Sequence, residues 1–417
     1  MKTENEFQVM QGKIREEVLQ EIPAGVEISD SELSECIDEQ IGLTARQQYI
    51  RLEEKRKLRH TIFNSIRKMD VLQDILEDEE VTEIMVNGPG RIFIEKNGRL
   101  TETGLAFQDR ERLEDIVQQI ASSGNRIVNE SNPILDVRLA DGSRVNIVLP
   151  PVALDGPVIT IRKFPKEAMT MDKLLKIGAI TEEAAEFLEK LVRAKYNIFI
   201  SGGTGAGKTT FLNILSNFIP SEERVITIED SAELQIQNIR NLVRLEARNA
   251  NVEGKNQVTI RDLVKSALRM RPDRIIVGEI RDQTAIDLLS AMNTGHDGSL
   301  STGHANSPAD MLNRLETLVL MGMDIPLAAI RQQIASGIDI VVHLGRLRDK
   351  SRKVLDISEV TGVSDGKIKL QPLFLFREQK ERRGAVVGQL QATGRRLAET
   401  QKCERAGIKS GGADDSA

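Results

Sequence analysis

The chain has 417 residues, of which 40% are apolar and 29% charged, with 57 Lys plus Arg against 63 Asp plus Glu. That length predicts two or three domains, and the apolar share excludes wholesale disorder. The net charge of −6 argues against a protein whose main task is coating nucleic acid. Eleven Phe, two Tyr and no Trp leave few aromatic faces on which bases could stack. Cys36 and Cys403 stand near opposite ends of the chain, so neither a disulfide framework nor a zinc cluster is expected, which fits a reducing compartment. The opening residues lack the apolar core of a signal peptide. No run of about 18 apolar residues could span a bilayer, since Thr317–Ile330 is broken by Asp324 and Pro326. A cytoplasmic protein, free to dock on a membrane complex, is the expectation.

In chain order, residues 1–80 read as a helical leader, charge-dense and poor in glycine. Within it Leu43–Met69 carries Arg46, Arg51, Lys55, Arg56, Lys57 and Arg59 among Glu53 and Glu54, a solvated helix face or a surface for acidic lipid or a partner. Residues 81–165 switch to short strands with turn punctuation. Asn87-Gly88, Pro89-Gly90 and Asn97-Gly98 predict hairpins, Arg110–Ser122 predicts a helix, and Val137–Leu139, Arg144–Leu149 and Val158–Arg162 predict further strands. This makes a compact α+β domain. Lys163–Thr181 reads as a linker. Between residues 166 and 376, short apolar runs at Asn197–Ser201, Arg224–Ile228, Arg274–Val277, Ser299–Thr302 and Ile338–Val342 suit strands buried on both faces. They alternate with helical stretches at Glu182–Lys195, Lys208–Phe218, Thr259–Met270, Asp282–Met292 and Ala309–Met321, the pattern of an α/β domain. Residues 377–417 are polar and predict a loosely ordered tail.

The strongest chemical signal is Gly202-Gly203-Thr204-Gly205-Ala206-Gly207-Lys208-Thr209-Thr210. It matches G-x-x-x-x-G-K-[ST] between an apolar strand and a helix, the setting this phosphate-binding loop requires. Its glycines let backbone N–H groups converge on phosphates, and the following helix offers its positive end. Lys208 would bridge the β- and γ-phosphates, and Thr209 would hold Mg²⁺. ATP with Mg²⁺ is the expected ligand.

Hydrolysis also needs an acid at a neighbouring strand end. Arg224-Val-Ile-Thr-Ile-Glu229-Asp230 supplies one, and Arg274-Ile-Ile-Val-Gly278-Glu279 another. The second occupies the Walker B place, but Gly278 stands where Asp is usual. Glu279 is therefore assigned to the metal or its water shell, and Glu229 to orienting water. Either acid could instead merely cap a turn. His296 and His304 lie eight residues apart among small residues; a metal pair is weakly suggested, and a phosphate-sensing role for His304 is more economical. His343, after an apolar run, reads as packing, and His60 as surface.

These residues carry a family resemblance. GGTGAGKTT, RVITIEDSAEL, LRMRPDRIIVGEIR and TGHDGSLSTGHANS resemble, in order, the P-loop, Asp box, Walker B and His box of the type II/type IV secretion and pilus-assembly ATPases. The likeness reaches upstream to Asp136–Arg144 and Ile159–Phe164 and covers roughly residues 80–375. DGSRVN, Pro150-Pro151 and the run Gly388–Gly394 are most similar to the CpaF-type branch that serves tight-adherence (Flp) pili. The tetracysteine module of many type II members is missing, since there are two cysteines.

The resemblance implies a RecA-like P-loop core and a six-membered ring with nucleotide between domains. It also implies arginines supplied to the γ-phosphate, for which Arg144 and Arg162 match best and Arg138 third. Arg269 and Arg271 are expected to stabilise the fold or ring. The implied partner is a membrane platform protein at the inner face of the cytoplasmic membrane, and no stable nucleic acid is expected. Alternatives remain open: a conjugation-type DNA-transfer ATPase, a nucleic-acid motor of the same core fold, or an assembly subunit that binds nucleotide without turnover.

Overall fold

The computed structural model describes residues 4–22, 28–96, 98–164, 169–248, 256–382 and 385–408. They fall into two compact units, Met1–Glu167 and Ala168–Ala417.

The first unit begins with three packed helices, α1 (Glu4–Glu21), α2 (Asp30–Gln47) and α3 (Leu52–Arg67). Their apolar stripes meet in a small core of Ile14, Val18, Leu33, Ile37, Leu58 and Ile62. A reciprocal Ser29–Glu32 capping box starts α2. A short α4 (Leu72–Glu77) leads into β1 (Val81–Asn87), β2 (Ile92–Lys96) and β3 (Arg99–Glu102). After α5 (Arg110–Ser123) come β4 (Ile134–Arg138), β5 (Arg144–Val148) and β6 (Val158–Arg162). The strands form one antiparallel sheet in the order β3-β2-β1-β6-β5-β4. Alternation puts Ile84, Val86, Ile147, Ile159 and Ile161 on the face shared with Leu113, Ile116, Val117 and Ile120 of α5.

The second unit opens with α6 (Met171–Lys176) and α7 (Glu182–Arg193), then β7 (Ile198–Gly202), α8 (Lys208–Ser216), β8 (Arg224–Glu229), β9 (Asn241–Glu246), α9 (Ile260–Ala267) and β10 (Arg274–Val277). It continues through α10 (Thr284–Asn293), β11 (Leu300–His304), α11 (Pro308–Leu320), α12 (Leu327–Gly337) and β12 (Ile340–Arg346) to the strands β13 (Arg352–Ser364), β14 (Lys367–Arg382) and β15 (Ala385–Ala392), and closes with α13 (Gln401–Arg405). The sheet order is β15-β14-β13-β12-β7-β11-β10-β8-β9; β12 through β9 are mutually parallel, and β13–β15 add antiparallel.

The parallel strands inside the sheet, β7, β8, β10, β11 and β12, are buried on both faces, and only the edge strand β9 is not. Ile198 and Ile200 join one core with α7 and α8, while Phe199 between them joins the other with α9–α12. The expected apolar runs thus became strands for the reason that singled them out. Arg274, fully buried at the start of β10, donates to Glu223 from Nε (2.6 Å) and Nη2 (3.0 Å), and from Nη1 to the carbonyls of Val192 and Gly298. One guanidinium thereby ties α7, the approach to β8 and the turn before β11.

Two expectations change here. The segment read as a linker holds α6 in its later part: Met171, Leu174 and Leu175 pack on the core, and Lys353 Nζ donates to the carbonyls of Ile177 and Gly178 behind it; residues 165–168 lie outside the described residues. Residues 377–382 and 385–408 are not loosely ordered either. They complete β14, form β15 and cross beneath the sheet, where buried Glu359 accepts from the amides of Ala398 and Glu399 at 2.8–3.0 Å. Tyr196 donates to the Glu399 carbonyl, Lys402 reaches Asp339 (2.6 Å) and Asp297 (2.9 Å), and Cys403 is buried. The stretch looked polar because its apolar anchors, Val386, Leu390, Leu397, Cys403 and Ile408, are few and widely spaced. Residues 409–417 lie outside the described residues.

Candidate functional site

The phosphate-binding loop follows β7 directly. Gly207 adopts φ +94° as the residue before α8, and Gly205 φ +69°, backbone that side chains rarely take. At Gly202 a Cβ would stand 2.5 Å from the Leu344 carbonyl of the adjacent strand, so the loop can leave the sheet here only as glycine. Gly203, Thr204, Gly205 and Thr210 are exposed, Ala206 is buried, and Thr209 is half-buried in the first turn of α8. Lys208 is buried; its Nζ donates to the Gly203 carbonyl (3.1 Å) and to His304 Nδ1 (3.2 Å). Arg352, at the start of β13, donates from Nε to the Gly205 carbonyl at 2.8 Å and braces the loop from the side.

Because β11, β10 and β8 follow β7 in parallel across the sheet, their C-terminal ends line one edge, where doubly wound sheets bind ligands. His304 pairs in register with Gly202. Its Nε2 stands 3.0 Å from Glu279 Oε1, an ion-pair distance without hydrogen-bond alignment. Burial, then the charge of Lys208, lowers the His304 pKa, with Glu279 opposing. A neutral ring accepting from Lys208 at Nδ1 carries its proton on Nε2, the nitrogen turned to Glu279. His296 lies beyond the other end of β11 with Nδ1 3.2 Å from the Ala291 carbonyl, so the two histidines share no metal site.

The two acids use a common device. Glu229 is 3% exposed. Its Oε1 accepts from the amides of Glu233 (2.8 Å) and Leu234 (3.0 Å), and its buried Oε2 has no hydrogen-bond partner among the described residues. Burial pushes its carboxyl up, against those two amides. Glu279 is anchored at Oε2 by Arg281 Nη2 (2.8 Å), while Oε1 is buried with no aligned hydrogen bond. Burial would raise Glu279, but the Arg281 bond and the charges of Arg281 and Lys208, with His304 adding to them only when protonated, hold it below the ordinary range. The glycine before Glu279 also finds its reason: a Cβ on Gly278 would lie 3.1 Å from Glu229 Cγ, so Glu229 fills the space an aspartate would need. Thr302 fixes this turn by donating to the Gly278 carbonyl at 2.7 Å.

A hydroxyl at Thr209 and an unsatisfied carboxylate oxygen at Glu279 are hard donors that suit Mg²⁺, which binds through one or two protein oxygens plus phosphates and water. Among the described residues there is no group of three or more His, Cys, Asp or Glu that could hold a metal.

The remaining candidates sit elsewhere. Arg138, Arg144 and Arg162 lie in the first unit in one cross-strand row, Arg138 opposite Arg144 and Arg144 opposite Arg162. Sequence spacing concealed that adjacency. His343 is buried, its Nδ1 2.9 Å from Ser201 Oγ. His60 is exposed and contacts Asp74. Arg281, Arg352 and the Arg274–Glu223 tie were not singled out in advance; for Arg281 the available signal was its place directly after Gly278-Glu279.

A parallel sheet carrying a P-loop, with two acids and a histidine on the next three strand ends, defines a P-loop nucleotide-binding protein with a RecA-like core. Comparison with known proteins narrows this. Residues 65–408 match the family described as Type II/IV secretion system protein, and the chain belongs to that family. The conjugal transfer protein TrbB of Rhizobium radiobacter is 33% identical over 298 residues, covering 70% of this chain and 88% of that one. The type IV secretion system protein VirB11 of Bartonella henselae is 30% identical over 330 residues, covering 70% and 91%. In fold, the chain is similar to the X-ray structure of the Yersinia pseudotuberculosis ATPase DotB, with a TM-score of 0.54, 18% identity and coverage of 71% and 79%.

Proposed function

We propose that the protein hydrolyses ATP to drive a secretion or pilus machine from the cytoplasmic face of a membrane. The observation that carries this reading is the alignment of Lys208, His304, Glu279 and Glu229 along four adjacent strand ends. Family membership supports it, and no helix among the described residues is long and apolar enough to cross a membrane.

In this reading the amides of Gly203–Thr209 cradle the phosphates, and Lys208 exchanges its bond to the Gly203 carbonyl for the β- and γ-phosphates. Thr209 and Glu279 hold Mg²⁺, which would supply neutralisation of phosphate charge. Glu229 orients the attacking water through its unsatisfied Oε2; its raised pKa makes it the stronger base of the two acids. His304 reports the γ-phosphate by donating from Nε2. Arg144 and Arg162, with Arg138 beside them, are the arginines assigned to the transition-state charge, where one arginine is worth on the order of 10³–10⁵ in rate. Residues 1–80 act as a leader, 81–165 as the arginine-bearing domain and 166–376 as the motor, with the rest of the described chain strapped to it. The working form is a hexamer.

Two machines compete. The CpaF-type features support assembly of tight-adherence pili against a membrane platform protein. The conjugal transfer and VirB11 relatives support a DNA-transfer or type IV secretion machine equally well. Phosphate release from the purified protein tests the activity: Lys208→Ala should abolish it, and Arg144→Ala should slow it by 10-fold or more with unchanged folding. Unchanged hydrolysis in both would refute the assignment. Cross-linking in cells then separates the machines, by recovery of a pilus platform protein or of a conjugation complex.

A further inference from the structure

The anchors of the two acids differ in kind. Glu229 is held by main-chain amides and cannot turn without moving the segment after β8. Glu279 has its one aligned hydrogen bond from a side chain, Arg281, which is itself 60% exposed, while His304 Nε2 stands at ion-pair distance from its other oxygen. That guanidinium also has a second acid within reach: its Nη1 stands 3.6 Å from Asp230 Oδ2, at the end of β8, the strand beside β10. Two clefts meet at Arg281. The larger, about 540 Å³, is lined by Arg281, His304, Arg314 and Met321 among others. The smaller, about 170 Å³, is lined by Asp230, Arg248, Glu279 and Arg281. Arg281 thus lines both clefts and is the group that ties back Oε2 of Glu279 and leaves Oε1 for the reaction. As a surface ion pair it would matter little to stability; its leverage lies in orienting a carboxylate whose other oxygen is buried and unsatisfied.

We propose that Arg281 is a positioning residue: it sets the rotation of the Glu279 carboxylate, presents Oε1 to the nucleotide site, and can transfer its hold to Asp230 to release that carboxylate. This rests on the ATPase reading above and names a residue that acts through Glu279 rather than on phosphate.

The test is a double-mutant cycle on the full chain. Arg281→Ala should lower kcat by about 10–100-fold while KM for ATP changes less than about threefold, and Arg281→Lys should recover part of the loss. Combined with Glu279→Gln, Arg281→Ala should cost nothing further, because the carboxylate it orients is gone. Losses that multiply in the double variant, or a loss confined to KM, would overturn the proposal in favour of direct phosphate contact or a structural role. Thermal melting of each variant reports folding. Lys208→Ala keeps the two claims apart: if wild type hydrolyses ATP and Lys208→Ala does not, a multiplicative cycle removes only the role of Arg281. If wild type shows no turnover, the ATPase reading fails, and the same cycle is read in Mg²⁺-dependent affinity for a non-hydrolysable ATP analogue. There the analogue's affinity should again be insensitive to Arg281 once Glu279 is Gln, and sensitivity would overturn it.

Discussion

Glu229 combines near-complete burial with an oxygen that has no hydrogen-bond partner among the described residues, an arrangement that costs stability whenever the group is ionised. Its folded pKa is raised, so its contribution to stability is fullest below the unfolded value and is lost as pH rises through the folded one. At pH 8 the wild type therefore carries a penalty that Glu229→Gln removes, since the amide oxygen still accepts from Glu233 and Leu234. The variant should melt roughly 2–4 °C higher at pH 8, an effect of about 1 kcal/mol, with a smaller gain at pH 5, and its turnover should fall by 100-fold or more. Calorimetry at the two pH values and a phosphate assay check both halves. The neighbouring Gly278 answers to space rather than charge. Gly278→Asp, which would restore the usual acid, should displace Glu229, destabilise by about 1–3 kcal/mol as overpacking does, and lower rather than raise activity. Denaturant titration beside kinetics would show it.

At the scale of elements, the parallel strands were legible because strands buried on both faces need nearly unbroken apolar runs. Observed ends such as Ile198–Gly202 and Leu300–His304 differ from the expected ones by a residue or two, where a loop must leave the sheet. The elements not foreseen had no such signature. The edge strand β9 (Asn241–Glu246) is half-exposed and carries Arg244 and Glu246. The hairpins of β13–β15 contain register shifts that interrupt alternation, and α12 has no side-chain cap at Pro326. Glu229 and Glu279 could be read because each ends an apolar strand, whereas Arg281 needed the adjacency of β8 and β10 to acquire Asp230 as a neighbour. The segment after β15 yields an element-scale prediction. Lys402→Ala leaves Asp339 desolvated beside Asp297 and should cost about 3 kcal/mol, seen as a lower denaturation midpoint of the second unit.

For the whole molecule, Arg274 marks the second unit as a structure organised around one buried guanidinium whose donors all find acceptors on three segments. Arg274→Met keeps bulk but strands Glu223, and loss of a buried partner on this scale costs about 3–5 kcal/mol. The second unit should then melt early while the first, with its own helical and sheet cores, keeps its transition. Limited proteolysis during a thermal ramp would resolve the two.

The strap beneath the sheet also bears on how the protein comes into being. Tyr196 waits for the carbonyl of Glu399, 203 residues later, and Asp339 for Lys402, 63 residues later. Until that stretch has been synthesised, the Tyr196 phenol lacks its acceptor, and Asp339 and Glu359 keep only their bonds from Asn197 and Gln371. The phosphate-binding loop can be made early on the ribosome, but the unit that supports it can close only late. A nascent chain arrested before residue 398 should therefore remain open to proteases that the finished protein resists.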